Sequence, residues 1–205
     1  MSSMGLREQL GMAKDPDFVI DVPEGWSKRD VTSESMDSML ESLKTQFMRA
    51  HQPAMYTSMK RLVAEAFEGM KQSGAVGFYA PVDAPEGTFL MPASIIARIK
   101  RAEGGASLDS YVRSLIDQRS AEQLFGDPRI LRYEERTAVR VEGQEFINNS
   151  VTYLSPIPGS SRKRAVEFVA SLISLPRDEN PEWTAGQKSL IDLCISSLRW
   201  RDSKN

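Results

Sequence analysis

The chain alternates between two hydrophobic periods. Phe18, Ile20 and Val22 recur at every second position before Pro23-Glu-Gly-Trp26 breaks the run. That spacing predicts a short strand ending in a turn, with Trp26 folding back on the core. From Met36 the period lengthens: Met36, Met39, Leu40, Leu43 and Phe47 follow at intervals of three and four, which places them on one helical face. Thr32, Ser33 and Ser35 offer capping oxygens before that face begins. Pro53 disfavours helical geometry in the residue before it, and a second stripe of Met55, Met59, Leu62, Val63, Ala66 and Met70 runs to Ser73-Gly74. Together these predict a helical hairpin.

Beyond Gly74 the period returns to two. Residues 75–80 read as a strand, and 89–91 with 94–100 as a longer extended run in which Pro92 marks a bulge or an edge. Ser107 caps a helix bearing Leu108, Tyr111, Val112, Leu115 and Ile116, and Gly126-Asp-Pro128 closes that helical region. Four further strands are expected at 129–134, 137–141, 150–154 and 164–172. In the last of them Val166, Phe168, Ala170 and Leu172 share one face, leaving Arg164 and Glu167 for the wet side. After a loop at 176–181, a final helix beginning at Thr184 points Leu190, Ile191, Cys194, Ile195 and Leu198 inward. Consecutive strands, rather than strict strand–helix alternation, favour an α+β fold with a central antiparallel sheet flanked by helices. The expected organisation is a mobile arm over 1–16 and one domain over 17–202.

Three segments resemble a known family. Residues 17–26, Asp-Phe-Val-Ile-Asp-Val-Pro-Glu-Gly-Trp, are similar to the opening strand and P-x-G-W turn of PsbP-like proteins. Residues 187–200 are similar to their terminal helix with its Ser-Leu-Arg tail, and 149–159 resemble a strand and turn of actinobacterial LpqN-type lipoproteins in that superfamily. The resemblance implies an α/β/α sandwich and a binding or accessory role. It carries over no catalytic or ligand residue, and the hairpin between Trp26 and Gly74 is longer than it leads one to expect.

Composition narrows the chemistry. Among 205 residues, 26 Lys and Arg face 28 Asp and Glu, with a net charge of -2, too balanced for a general grip on nucleic acid. A single cysteine, Cys194, excludes an internal disulfide, and a single histidine, His51, excludes a histidine metal cluster. No cofactor is expected. No uncharged run reaches the length of a membrane span, and the first residues lack the apolar core of a secretory signal. A cytoplasmic protein is the expectation, and the resemblance implies a bacterial, actinobacterial one.

Candidate catalytic groups do not assemble. His51 precedes Gln52-Pro53 with no G-x-S-x-G elbow anywhere, Cys194 sits on an apolar stripe, and Glu134-Glu135 point to opposite faces of a strand. The leading expectation is therefore a non-catalytic binding domain whose partner is another protein or a second copy. A small-ligand pocket or a carboxylate-dependent enzyme is the alternative. Six of the ten methionines lie between Met36 and Met70, and such flexible side chains suit either an adaptable groove or the core under the hairpin. The contact candidates are Trp26, Met36, Met39, Met55, Met59, Tyr79 and Tyr153, with Arg162 and Arg164 from the basic loop Ser160-Ser-Arg-Lys-Arg164. That loop suits an oxyanion or acidic partner, or simply a solvated hairpin with gatekeeping charges.

Overall fold

In a computed structural model, residues 16–201 are described, apart from 50, 52, 82–92, 103, 105 and 142. The expected arm up to residue 15, the run at 89–91 and Pro92 lie outside the described residues. The elements are β1 (Asp17–Val19), β2 (Trp26–Arg29), α1 (Ser33–Arg49), α2 (Pro53–Gln72), β3 (Ala75–Pro81), β4 (Ala93–Arg101), α3 (Asp109–Arg119), β5 (Glu122–Leu124), β6 (Asp127–Val141), β7 (Gln144–Pro156), β8 (Arg164–Ser174), α4 (Pro181–Ser196) and β9 (Arg199–Arg201). The fold is α+β. Seven antiparallel strands form a sheet in the order β2-β3-β4-β8-β7-β6-β5, and β1 pairs with β9 in a separate ribbon.

Strand alternation assigns the two faces. Val166, Phe168, Ala170 and Leu172 of β8 align with Ile99, Ala97, Ile95 and Ala93 of β4. With Tyr79, Val151 and Tyr153 they form the main core, against Ile191 and Ile195 of α4 and Phe18 of β1. Trp26 packs on this core as expected, and its backbone N–H donates to Pro23 O at 3.1 Å.

The opposite face carries two smaller clusters. Phe67 and Met70 of α2 meet Phe78 of β3, and Met36, Met39 and Val63 pack around them. Leu108 and Leu115, from the start and body of α3, meet Leu154 and Ala165. Helices thus cover both faces. Gly77 lets β2 pair closely with β3, since a Cβ there would lie 3.2 Å from Lys28 Cε and 3.3 Å from the Arg29 carbonyl oxygen, tight enough that one of these neighbours would have to shift.

Several expectations are corrected. The helical region ends at Arg119, and β5 with the start of β6 forms a tight hairpin through Phe125 (φ 50°) and Gly126 (φ 77°). The two strands expected at 129–134 and 137–141 are one, because β7 pairs with β6 continuously from Leu131 to Val141. α4 begins at Pro181, as the Asn180 side chain accepts the Trp183 N–H at 3.1 Å and proline suits the first helical position. Glu167 is not on a wet side but 1% exposed, because α3 covers that face of β8. Leu190 is turned outward, at 40% exposure. Among the described residues, no helix is long and apolar enough to cross a membrane.

Candidate functional site

Two buried carboxylates fasten helices to the sheet, one on each face. On the α4 side, Asp192 Oδ1 accepts the Tyr153 hydroxyl at 2.6 Å and Arg132 Nε at 2.8 Å. Arg132 also contacts Glu134, whose second oxygen accepts Lys188 Nζ at 2.5 Å. Arg136 then holds Glu179 through two bonds of 3.0 and 2.7 Å. On the α3 side, Glu167 accepts the Tyr111 hydroxyl at 3.2 Å and contacts the Arg98 guanidinium, while Lys100 Nζ lies 4.5 Å over the Tyr111 ring.

The Asp192 network lines a cleft of about 430 Å³ between β6, β7 and α4. Its cations Arg132, Arg136 and Lys188 each meet a carboxylate of the same cleft. Burial raises the Glu134 carboxyl, but Lys188 and Arg132 outweigh it and hold the group below its ordinary value. Arg136 does the same for Glu179. Burial, with Asp192 beside it, pushes the Tyr153 hydroxyl far above the ordinary tyrosine value. Near neutral pH Glu134 and Glu179 stay ionised and the Tyr153 phenol stays protonated, so this cleft works as an electrostatic clamp between helix and sheet.

A second cleft, of about 460 Å³, opens at the end of the sheet over Ile130, Ile157, Leu198 and Trp200, with Arg129 and Arg162 at its rim. Both arginines face a carboxylate: Arg129 meets Asp127 at 2.7 Å and Arg162 meets Asp109 at 3.5 Å. The basic loop is a fixed turn. Ser160 Oγ donates to Arg164 O at 3.1 Å, and the Arg162 carbonyl accepts the Leu108 N–H at 2.8 Å. Arg164 is half-buried at the first residue of β8.

The clamp has an outward consequence. α4 carries three charged side chains, Glu182, Lys188 and Asp192, and two of them are turned toward the sheet. Its outer side is left with Trp183, Gly186, Leu190, Leu193 and Ser196, all exposed, with Glu182 at one end and Ala185 and Ser189 at the edge of the cleft. Leu193 is 59% exposed and Leu190 40%. A helix with an apolar stripe on its solvent side as well as on its core side has a face to offer a partner.

The contact candidates from the sequence are not brought together. Tyr79 and Tyr153 are 2% and 0% exposed, which corrects their assignment as anchors: alternation along β3 and β7 turns both into the main core. Trp26, Met36 and Met39 are half-buried on core clusters. The side chains of Met55 and Met59 lie outside the described residues. Arg162 is exposed at the sheet end, on the other cleft. Sequence reasoning missed the α4 face because the spacing of Leu190 and Ile191 fits the inward stripe equally well; the signal available was Leu193, which that stripe leaves out.

No protein-family model matches the chain, and no curated protein matches it. Among solved structures, a point mutant of the protein Mog1 aligns over 62% of this chain and 80% of its own, at 12% identity and a TM-score of 0.41. The Ran-binding protein Mog1p of Saccharomyces cerevisiae aligns over 62% and 79%, at 11% identity and a TM-score of 0.34. A hypothetical protein from Helicobacter pylori aligns over 96% and 97%, at 9% identity and a TM-score of 0.20. No residue role transfers from any of them at these values.

Proposed function

We propose that this chain is a non-catalytic binding domain that acts through protein–protein contact at the outer face of α4. The observation that carries the reading is the exposure of Leu190 and Leu193, at 40% and 59%, on a face whose neighbouring charges Lys188 and Asp192 are engaged with the sheet. Apolar side chains without interspersed charge gain from leaving water, and a face that is nearly free of charge loses little on being covered. The resemblance of residues 17–26 and 187–200 to PsbP-like proteins supports the same reading, since members of that family mostly serve as binding or accessory proteins.

The test is a photo-reactive phenylalanine analogue placed at position 193 and, as a control, at Val76, which is also exposed (41%) on a different element. Irradiation in the native cell is expected to give a protein adduct at 193 and little at 76. Equal labelling at both positions, or none at 193, would overturn the assignment.

A further inference from the structure

The turn between β7 and β8 begins Ser155-Pro-Ile-Pro-Gly-Ser-Ser-Arg162. Its two prolines fix their own φ angles. Three of the next four residues, Gly159, Ser161 and Arg162, take left-handed backbones at φ 71°, 51° and 59°. Serine and arginine enter that region at a cost. The turn is held there by its bonds: Ile157 N–H donates to Arg164 O at 3.0 Å, Lys163 N–H to Ser160 O at 3.0 Å, and Leu108 N–H to Arg162 O at 2.8 Å. Strain fixed in this way is concentrated in segments that bind or react. Inside the chain Arg162 gains little for it, a 3.5 Å contact with Asp109 between side chains that are 75% and 47% exposed.

This turn walls the cleft of about 460 Å³ at the sheet end. Ile130, Ile157, Leu198 and Trp200 make its floor apolar, with one polar group among them. Ser155 follows the alternation of Val151 and Tyr153 along β7, so its side chain stands on the same face of the sheet. It is 3% exposed and lines the cleft, and among the described residues its hydroxyl makes no hydrogen bond. A buried hydroxyl calls for a partner, and the cleft is the side from which one can come. In the wall, the N–H groups of Gly159 and Ser161 donate to no backbone carbonyl among the described residues.

Charge names the occupant. Among the described residues no acidic side chain lines this cleft, whereas Glu134, Glu179 and Asp192 line the other cleft and answer its cations. Asp127 and Asp109 stand behind the arginines, outside the lining. Asp127 takes Nε and Nη2 of Arg129 and leaves the other amino group, and Asp109 takes one amino group of Arg162. Both guanidiniums therefore keep donors for an oxyanion, and the two acids behind them make one negative charge a better match than two. From this geometry we infer that the cleft binds a small aromatic monocarboxylate, with its carboxylate at Arg129 and Arg162 and its ring on the floor of Ile157 and Trp200. The volume lies in the range of small-ligand sites. This site goes beyond the reading of α4 as a contact surface and stands apart from it, since no residue of the outer face of α4 lines the cleft.

The test uses the full chain with 2-naphthoate, its neutral amide, 2-naphthyl phosphate and the photo-reactive acid 4-benzoylbenzoate. Calorimetry is expected to show one site for 2-naphthoate, with the amide bound about tenfold more weakly or worse. Arg162→Gln and Arg129→Gln alter exposed side chains, so each is expected to keep the Tm of the unaltered chain. Each should raise the Kd for 2-naphthoate by about tenfold, the worth of one charge-assisted hydrogen bond. Irradiated 4-benzoylbenzoate is expected to label residues 155–162 or 198–200, and excess 2-naphthoate to prevent it. No binding at about 1 mM, equal affinity for acid and amide, or a Kd indifferent to both arginine substitutions overturns the site. Adducts confined to other segments overturn it as well. Tighter binding of 2-naphthyl phosphate than of 2-naphthoate overturns the assignment of a singly charged ligand.

Discussion

The Tyr153 hydroxyl donates to Asp192 Oδ1 at 2.6 Å and so ties the middle of the sheet to the middle of α4. Arg132 shares that oxygen at 2.8 Å. Glu167 stands in the same relation to Tyr111 and Arg98 on the other face. α4 and α3 are thus each fixed by a carboxylate that gathers one phenol and one guanidinium. The α4 clamp also decides what its helix shows to solvent, because it withdraws Lys188 and Asp192 from the outer side.

Removing the two partners of the first pair has unequal effects. Asp192→Ala leaves the Tyr153 hydroxyl without its acceptor and takes from Arg132 one of its two carboxylates, Glu134 remaining, in a site where Asp192 is 8% exposed. Because Glu134 keeps the guanidinium paired, the expected loss is about 3 kcal/mol, the low end of the range for breaking a buried charge pair. Tyr153→Phe leaves Arg132 on Asp192 and removes one hydrogen bond, for about 1–2 kcal/mol. Urea unfolding of both variants checks the order. Equal losses would mean that the arginine contributes nothing at Asp192.

Stability should fall at both ends of the pH scale, for opposite reasons. Glu134 and Glu179 are held below the ordinary glutamate value of 4.5, so below that value the unfolded chain takes up protons before the folded one does. Their contribution is present above 4.5 and disappears as the pH falls through the lower folded values. Tyr111 is pushed up to about 12 by burial and by Glu167. Its contribution is complete below the free tyrosine value of 10.0 and is lost as the pH rises through about 12. Denaturant midpoints measured across pH should show Glu134→Gln flattening the acid side alone and Tyr111→Phe the alkaline side alone.

Phe125 combines a left-handed backbone (φ 50°) with 67% exposure at the tip of the β5–β6 hairpin. A bulky residue is strained there, and asparagine tolerates that region better. Phe125→Asn is therefore expected to raise stability by about 0.5–1 kcal/mol, read as an increase in Tm. A lower Tm would show that the exposed ring makes a stabilising contact in the folded chain.

The sheet centre and the hairpin were legible because burial there enforces clean periods. β8 alternates over Val166, Phe168, Ala170 and Leu172, and α1 and α2 keep their stripes. β2 and β9 were not legible: Trp-Ser-Lys-Arg and Arg-Trp-Arg each hold one apolar residue, and they are strands because β3 and β1 supply hydrogen-bonding partners. The unbroken β6 was hidden by Glu134-Glu135-Arg136, which puts charge on both faces where alternation should distinguish them. Its charges are accommodated by Lys188, Arg119 and Glu179, all distant in sequence. The same distance hid the clamp. Asp192 finds its arginine 60 residues away, and the composition of α4 alone does not reveal that its charges turn inward.

The hairpin itself should detach before the sheet does. Phe67 is 1% exposed and meets the Phe78 ring edge-on, with centroids 5.4 Å apart at 82°. Phe67, Met70 and Phe78 form the buried centre of the cluster that holds α1 and α2 to β3, a separate set from the core beneath α4. Phe67→Ala removes most of that contact and opens a cavity, for an expected loss of about 3–5 kcal/mol. Because the main core is untouched, the loss should fall on one part of the molecule. Amide hydrogen exchange should then accelerate along α1 and α2 while the amides of β4, β7, β8 and α4 keep their protection. Uniform acceleration across all elements would mean that the hairpin and the sheet open as one unit, and that the Phe67–Phe78 contact is part of a single cooperative core.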